Sequence, residues 1–79
     1  MGTIKINDIV KWIYPIMPAE KHDVMIVVGF DGDDVAQVKH LSEHSVETVA
    51  RALVRDIRSV GHKDTGQLSE AELKRYRNI

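Results

Sequence analysis

No cysteine occurs in these 79 residues, which removes both a disulfide framework and a thiolate zinc site as supports for so short a chain. Glycine is sparse, with five residues, and none of them builds a phosphate-cradling loop. No G-x-S-x-G segment is present, and no serine, histidine and aspartate set is placed for nucleophilic catalysis. The longest apolar runs fall far short of the roughly 20 residues that span a bilayer. The N-terminus lacks the basic and apolar segments of a secretory signal. These absences lead to the expectation of a soluble, cytoplasmic, non-enzymatic protein with no metal, no cofactor and no membrane partner. No low-complexity segment or internal repeat divides residues 1–79, so a single domain is expected, near the lower size limit for independent stability.

The net charge of −1 conceals an uneven distribution. Residues 1–44 carry four lysines against seven acids, and residues 45–79 carry seven lysines and arginines against five acids. The halves are −3 and +2. A nucleic-acid binder is expected to show a strongly basic face, which this balance does not favour. A dipolar surface suited to a charged partner or to a second copy remains.

The apolar pattern supplies the elements. Thr3 to Tyr14 alternates and is rich in β-branched and aromatic residues, which predicts a strand somewhere within 4–14. A short helix capped by Asn7 or Asp8 is the competing reading of residues 8–14. Pro15 and Pro18 end either element. A second strand is predicted from about 23 to 30, a two-residue Asp31-Gly32 turn, and a third strand through Val35 to His40. With Phe30 opposite Asp33, one face of this hairpin carries Met25, Val27, Ala36 and Val38. The other carries Val24, Ile26, Val28, Phe30 and Val35, interrupted by Gln37 and Lys39.

Val46, Val49, Ala50, Leu53, Val54, Ile57 and Val60 follow the i, i+3, i+4, i+7 spacing and predict a long amphipathic helix from about 43 to 60. Ser42 or Ser45 is its expected N-cap, Leu41 and Val46 its staple, and Gly61 its left-handed C-cap. Arg51, Arg55 and Arg58 then line the opposite side, with Glu47. Leu68-Ser69-Glu70-Ala71-Glu72-Leu73 contains a capping box and a hydrophobic staple, which predicts a second, short helix reaching about Arg77. The expected fold is α+β: a three-stranded antiparallel meander, the long helix packed on the Met25, Val27, Ala36 and Val38 face, and the short C-terminal helix.

Three groups of residues invite chemistry. His40-Leu41-Ser42-Glu43-His44 matches H-x-x-E-H, but that zinc motif needs one continuous helix through both histidines, and His40 falls at a strand end. Polar residues at a strand-to-helix junction account for it. Asp31-Gly32-Asp33-Asp34 suggests calcium, yet Val35 and Ser42 occupy positions where an EF-hand loop needs oxygen ligands. A solvated hairpin tip accounts for that. Arg51, Arg55 and Arg58 suit an acidic protein surface or phosphates, since guanidinium matches both. Trp12, Tyr14 and Tyr76 serve equally as core or as interface anchors.

One covering helix leaves the Val24, Ile26, Val28 and Phe30 face open, so self-association as a homodimer is expected there or through an exposed edge of the meander. The C-terminal helix, with Leu68, Leu73 and Tyr76, is the element that competes for the same face. In size, compact α+β layout, lack of catalytic motifs and mildly acidic balance, the chain resembles the small proteins by which phages and mobile elements inhibit host defence, anti-CRISPR proteins among them. That resemblance implies a steric inhibitor acting in the host cytoplasm on a host protein or ribonucleoprotein complex. A nucleic-acid-binding regulator using the arginine row, or a structural assembly subunit, is the alternative.

Overall fold

The computed structural model describes residues 4–41 and 48–79. They form β1 (Asp8–Trp12), α1 (Pro18–Lys21), β2 (Met25–Asp31), β3 (Val35–His40), β4 (Val49–Leu53), a 3-10 turn (Val54–Asp56), β5 (Ile57–His62) and α2 (Glu70–Arg77). The strands make one antiparallel sheet in the order β4-β3-β2-β1-β5. Its two edge strands are consecutive in sequence. Four inter-strand spacings would separate them by about 19 Å in a flat sheet. The chain from Leu53 to Ile57 spans at most about 14 Å. The sheet must therefore curl until its edges approach, and register shifts between Ile9 and Val10 and between Val27 and Gly29 contribute the added coil.

Curling gives the sheet an inside and an outside. Inside lie Val10, Met25, Val27, Ala36, Val38, Ala52 and Ile57, with Ile4, Trp12, Ala50 and Val54 packed against them. The pairs Ala36 with Ala52 and Val38 with Ala50 keep small side chains where β3 meets β4. Outside lie Ile9, Val24 and Ile26, covered by Tyr76, Leu68 and Leu73, with Val28, Leu41 and Val60 at the margin. The predicted capping box is present: Ser69 Oγ accepts from the Glu72 amide at 3.2 Å, and Glu72 Oε1 accepts from the Ser69 amide at 3.2 Å.

The predicted long helix over 43–60 is not formed in the described residues, where 49–62 is strand, 3-10 turn and strand. Its apparent stripe arises from two short period-2 segments joined by a turn that shifts their phase. Ala50, Val54 and Ile57 face inward, Val49 and Leu53 are exposed, and Val60 lies under α2. Ser42, Ser45, Val46 and Glu47 fall outside the described residues. The fold is thus mostly sheet, five strands instead of three. Gly61 is not a helix cap either. It belongs to β5, where a Cβ would collide with the Tyr76 ring, so its role is to let α2 approach.

The hairpin faces were assigned correctly from Val24 to Val28, although the turn differs. Asp31 pairs with Val35 around a three-residue Gly32-Asp33-Asp34 loop. The partners of β2 therefore move three residues along β3, from Asp33 to Ala36 at Phe30, and the bulge at Val28 takes one back, so Val27 meets Val38 with its side-chain parity restored. Phe30 lies between the bulge and the turn, where parity is not restored, and pairs with Ala36 on the inner face.

α2 is held at both ends. At its start Lys63 Nζ donates to Glu72 at 2.9 and 3.0 Å; this pairing first, then the Ser69 amide, lowers the Glu72 pKa. At its end Lys11, only 3% exposed on β1 between β2 and β5, donates to the carbonyls of Tyr76 (2.8 Å), Arg77 (3.1 Å) and Ile79 (3.2 Å). A cation there meets the negative end of the helix dipole and adds a charged donor to C-terminal carbonyls, of which Tyr76 O also accepts from the Ile79 amide at 3.3 Å and Arg77 O lies 3.2 Å from His22 Nδ1. Burial, and then the charge of Arg58, lowers the Lys11 pKa, with Asp23 acting in the opposite sense. Lys11→Met keeps the length of the side chain and removes the buried donor that the three carbonyls share. Urea titration should show a loss of about 2–3 kcal/mol. A loss below about 0.5 kcal/mol, the usual range for surface changes, would show that the ammonium does not hold the helix.

Candidate protein-contact loop and groove

Between β1 and α1 the chain reads Ile13-Tyr14-Pro15-Ile16-Met17-Pro18. The prolines cannot donate to a ladder, so apolar residues that would otherwise extend β1 are turned out of the sheet. Tyr14 is 83% exposed, Ile16 91% and Met17 64%, and Ile13 is exposed as well. The segment is nevertheless braced. Ile13 N–H donates to the Asp56 carbonyl at 2.9 Å, and Glu20 Oε1 accepts from the Ile16 and Met17 amides at 2.8 and 2.9 Å. At its base Trp12 Nε1 donates to Asp23 at 2.9 Å, and His40 Nδ1 lies 3.0 Å from both oxygens of the same carboxylate. Three large apolar side chains thus stand in solvent on a backbone held by its own hydrogen bonds.

A groove of about 290 Å³ runs beside this loop, lined by Trp12, Tyr14, Ile16, Glu20 and Asp56. A second, of about 370 Å³, is lined by Asp33, Asp34, Leu53, Val54 and Arg55. The 3-10 turn contributes to both. A larger cavity of about 680 Å³ lies where α1 meets the end of α2, but Ala19 is its one apolar lining residue among Glu20, His22, Asp23, Lys74, Arg77 and Asn78. Small-molecule sites are lined mainly by hydrophobic and aromatic side chains, of which this cavity has only Ala19.

The residues singled out from the sequence are not brought together. Arg51 is on β4, where its Nε meets Asp31 at 2.8 Å. Arg55 is in the 3-10 turn and Arg58 on β5. Without the helix the three do not form a row. Val24 and Ile26, expected at a dimer interface, are buried under α2, Val28 is at the edge of the same cluster, and Phe30 is at the rim of the inner face. The chain's own C-terminal helix occupies the face assigned to a second copy. Of the H-x-x-E-H segment, Ser42, Glu43 and His44 lie outside the described residues, and His40 is engaged by Asp23. Among the described residues no group of three or more acidic and imidazole side chains is placed to hold a metal ion, and Asp31 is taken up by Arg51 and by Gln37 at 2.9 Å.

One further cluster was not anticipated. His62 lies between two carboxylates, Nδ1 at 2.7 Å from Asp8 and Nε2 at 2.8 Å from Asp64. Both ring nitrogens can donate only in the imidazolium. The hydrogen bonds to Asp8 and then Asp64 raise the His62 pKa. Burial opposes ionisation of Asp8, but hydrogen bonds from His62 and the Lys5 amide, the imidazolium charge and Ser59 outweigh it, and its pKa is lowered. With neither nitrogen open, this imidazole is a tie between β1 and the end of β5, not a base.

No protein family model matches the chain, and neither a curated protein nor a solved structure matches it. No helix of the described residues is long and apolar enough to cross a membrane.

The imidazolium tie makes stability depend on pH. The folded value of His62 lies above its ordinary 6.5, so its contribution is complete below about pH 6.5 and is lost as pH rises through the raised value. Asp8 lies below its ordinary 3.8, so its contribution is complete above about pH 3.8 and is lost as pH falls through the lowered value. The melting temperature should decline from pH 6 to pH 8 more steeply in the native protein than in His62→Gln, which cannot take the charge. Equal slopes would show that His62 does not titrate in the fold.

Proposed function

We propose that this chain is a non-enzymatic binding protein that docks on a host protein or ribonucleoprotein complex through the Ile13–Met17 loop and blocks it sterically, as the small inhibitors of phages and mobile elements do. The observation that carries this reading is the exposure of Tyr14, Ile16 and Met17 on a backbone already fixed by Glu20 and Asp56. Large apolar and aromatic side chains are the usual anchors of protein interfaces, and scattered single residues are far less telling than three on one loop. Prior bracing lowers the ordering cost on association. The nucleic-acid alternative is weakened because Arg51, Arg55 and Arg58 stand on three separate elements and Arg51 is already paired.

The test is capture from host lysate by the tagged protein, compared with Ile16→Asp combined with Met17→Asp. Both positions are exposed, so stability should change by less than about 0.5 kcal/mol each while specific capture is lost. Unchanged capture by a folded double variant would contradict the loop reading. So would loss of capture together with undiminished binding to RNA, or binding to phospholipid vesicles in place of protein.

A further inference from the structure

We infer that the groove beside the loop receives a cationic side chain, lysine or arginine, from the protein partner. This deepens the loop reading and rests on it. The groove combines two aromatic residues, Trp12 and Tyr14, with two carboxylates, Glu20 and Asp56, and no basic residue contributes to its lining. Asp56 uses its backbone carbonyl on Ile13, and its carboxylate has no partner among the described residues. Glu20 Oε1 is occupied by two loop amides, yet its charge remains at the groove.

An aromatic ring attracts a cation through its negative face, and a nearby carboxylate adds direct charge attraction. The stem of a lysine or arginine packs on apolar surface while its head stays polar, and Ile16 supplies such a surface next to the carboxylates. An acidic or purely apolar group would leave the Asp56 charge without compensation as water is excluded.

Trp12 is the one tryptophan of the chain, so its indole N–H gives a single resonance that reports on the groove. The nitrogen-15-labelled protein is titrated with three blocked tripeptides, Ala-Lys-Ala, Ala-Arg-Ala and Ala-norleucine-Ala, the last being the uncharged isostere. The lysine or arginine peptide should shift the Trp12 indole and the Tyr14, Ile16 and Asp56 amides. The norleucine peptide should bind at least about tenfold more weakly, and Asp56→Asn should weaken the cationic peptides by about the same factor, in the range expected for a charge-assisted cation–aromatic contact. Absent shifts, equal response to norleucine, or undiminished binding in a folded Tyr14→Ala, Asp56→Asn variant would overturn the assignment. If that variant retains lysate capture while the Ile16→Asp, Met17→Asp variant loses it, the loop is the interface and the groove is not part of it.

Discussion

A lysine within an interior strand of a sheet would ordinarily be the worst residue to bury, and the arrangement of the outer face follows from how Lys11 of β1 is satisfied. The Lys11 ammonium reaches three carbonyls at the end of α2, acceptors that a helix cannot satisfy internally. Desolvating the cation is costly, and so is leaving carbonyl lone pairs unmet; the contact lowers both penalties. The result fixes where α2 ends. Lys63 and the Ser69 capping box fix where it begins. Between these points Tyr76 lies over the bare backbone of Gly61, Arg75 stands 5.2 Å from the Tyr76 ring centroid, and Leu68 and Leu73 close over Ile9, Val24 and Ile26. A chain this short has little surface to bury, so the second apolar layer is a large share of what holds it.

That same constraint decides which surface is left over. With the outer face filled by α2 and the inner face filled by the curl of the sheet, the apolar residues still in solvent are concentrated where Pro15 and Pro18 expel the chain from β1. The loop is built on the fold's own polar ties. Trp12, next to Lys11, anchors it through Asp23 to His40 at the end of β3, and Asp56 joins it to the turn between the edge strands. An exposed apolar segment without such ties would be expected to collapse or to vary in shape.

Local chemistry was legible wherever a few adjacent residues decide the outcome. The Ser69 and Glu72 box with its Leu68 and Leu73 staple, the placement of a strand within 4–14 and the two faces of the hairpin all follow from short-range pattern. The 49–62 segment was not legible, because two period-2 strands joined by a phase-shifting 3-10 turn imitate a 3.6-residue period. Its content of Thr48, Val49, Val54, Ile57 and Val60 was the contrary signal, since β-branched residues favour a pleated sheet. The bulge at Val28 has a local signature in the adjacent Gly29, since an isolated glycine inside a strand pattern marks a bulge. The loop was legible in principle: Ile13, Tyr14, Ile16 and Met17 are apolar, yet two prolines keep them out of any ladder.

The packing of α2 on the outer face depends most directly on the state of one amino group. In protein labelled with nitrogen-15 lysine, the Lys11 ammonium should give a resolved signal in slow exchange with water, with nuclear Overhauser contacts to residues at the end of α2. Exposed Lys5 and Lys21 should exchange too fast to be seen under the same conditions. A Lys11 ammonium that exchanges as fast as theirs and shows no contact with α2 would mean that the helix is not held on the outer face, and the argument for the loop as the remaining contact surface would fail with it.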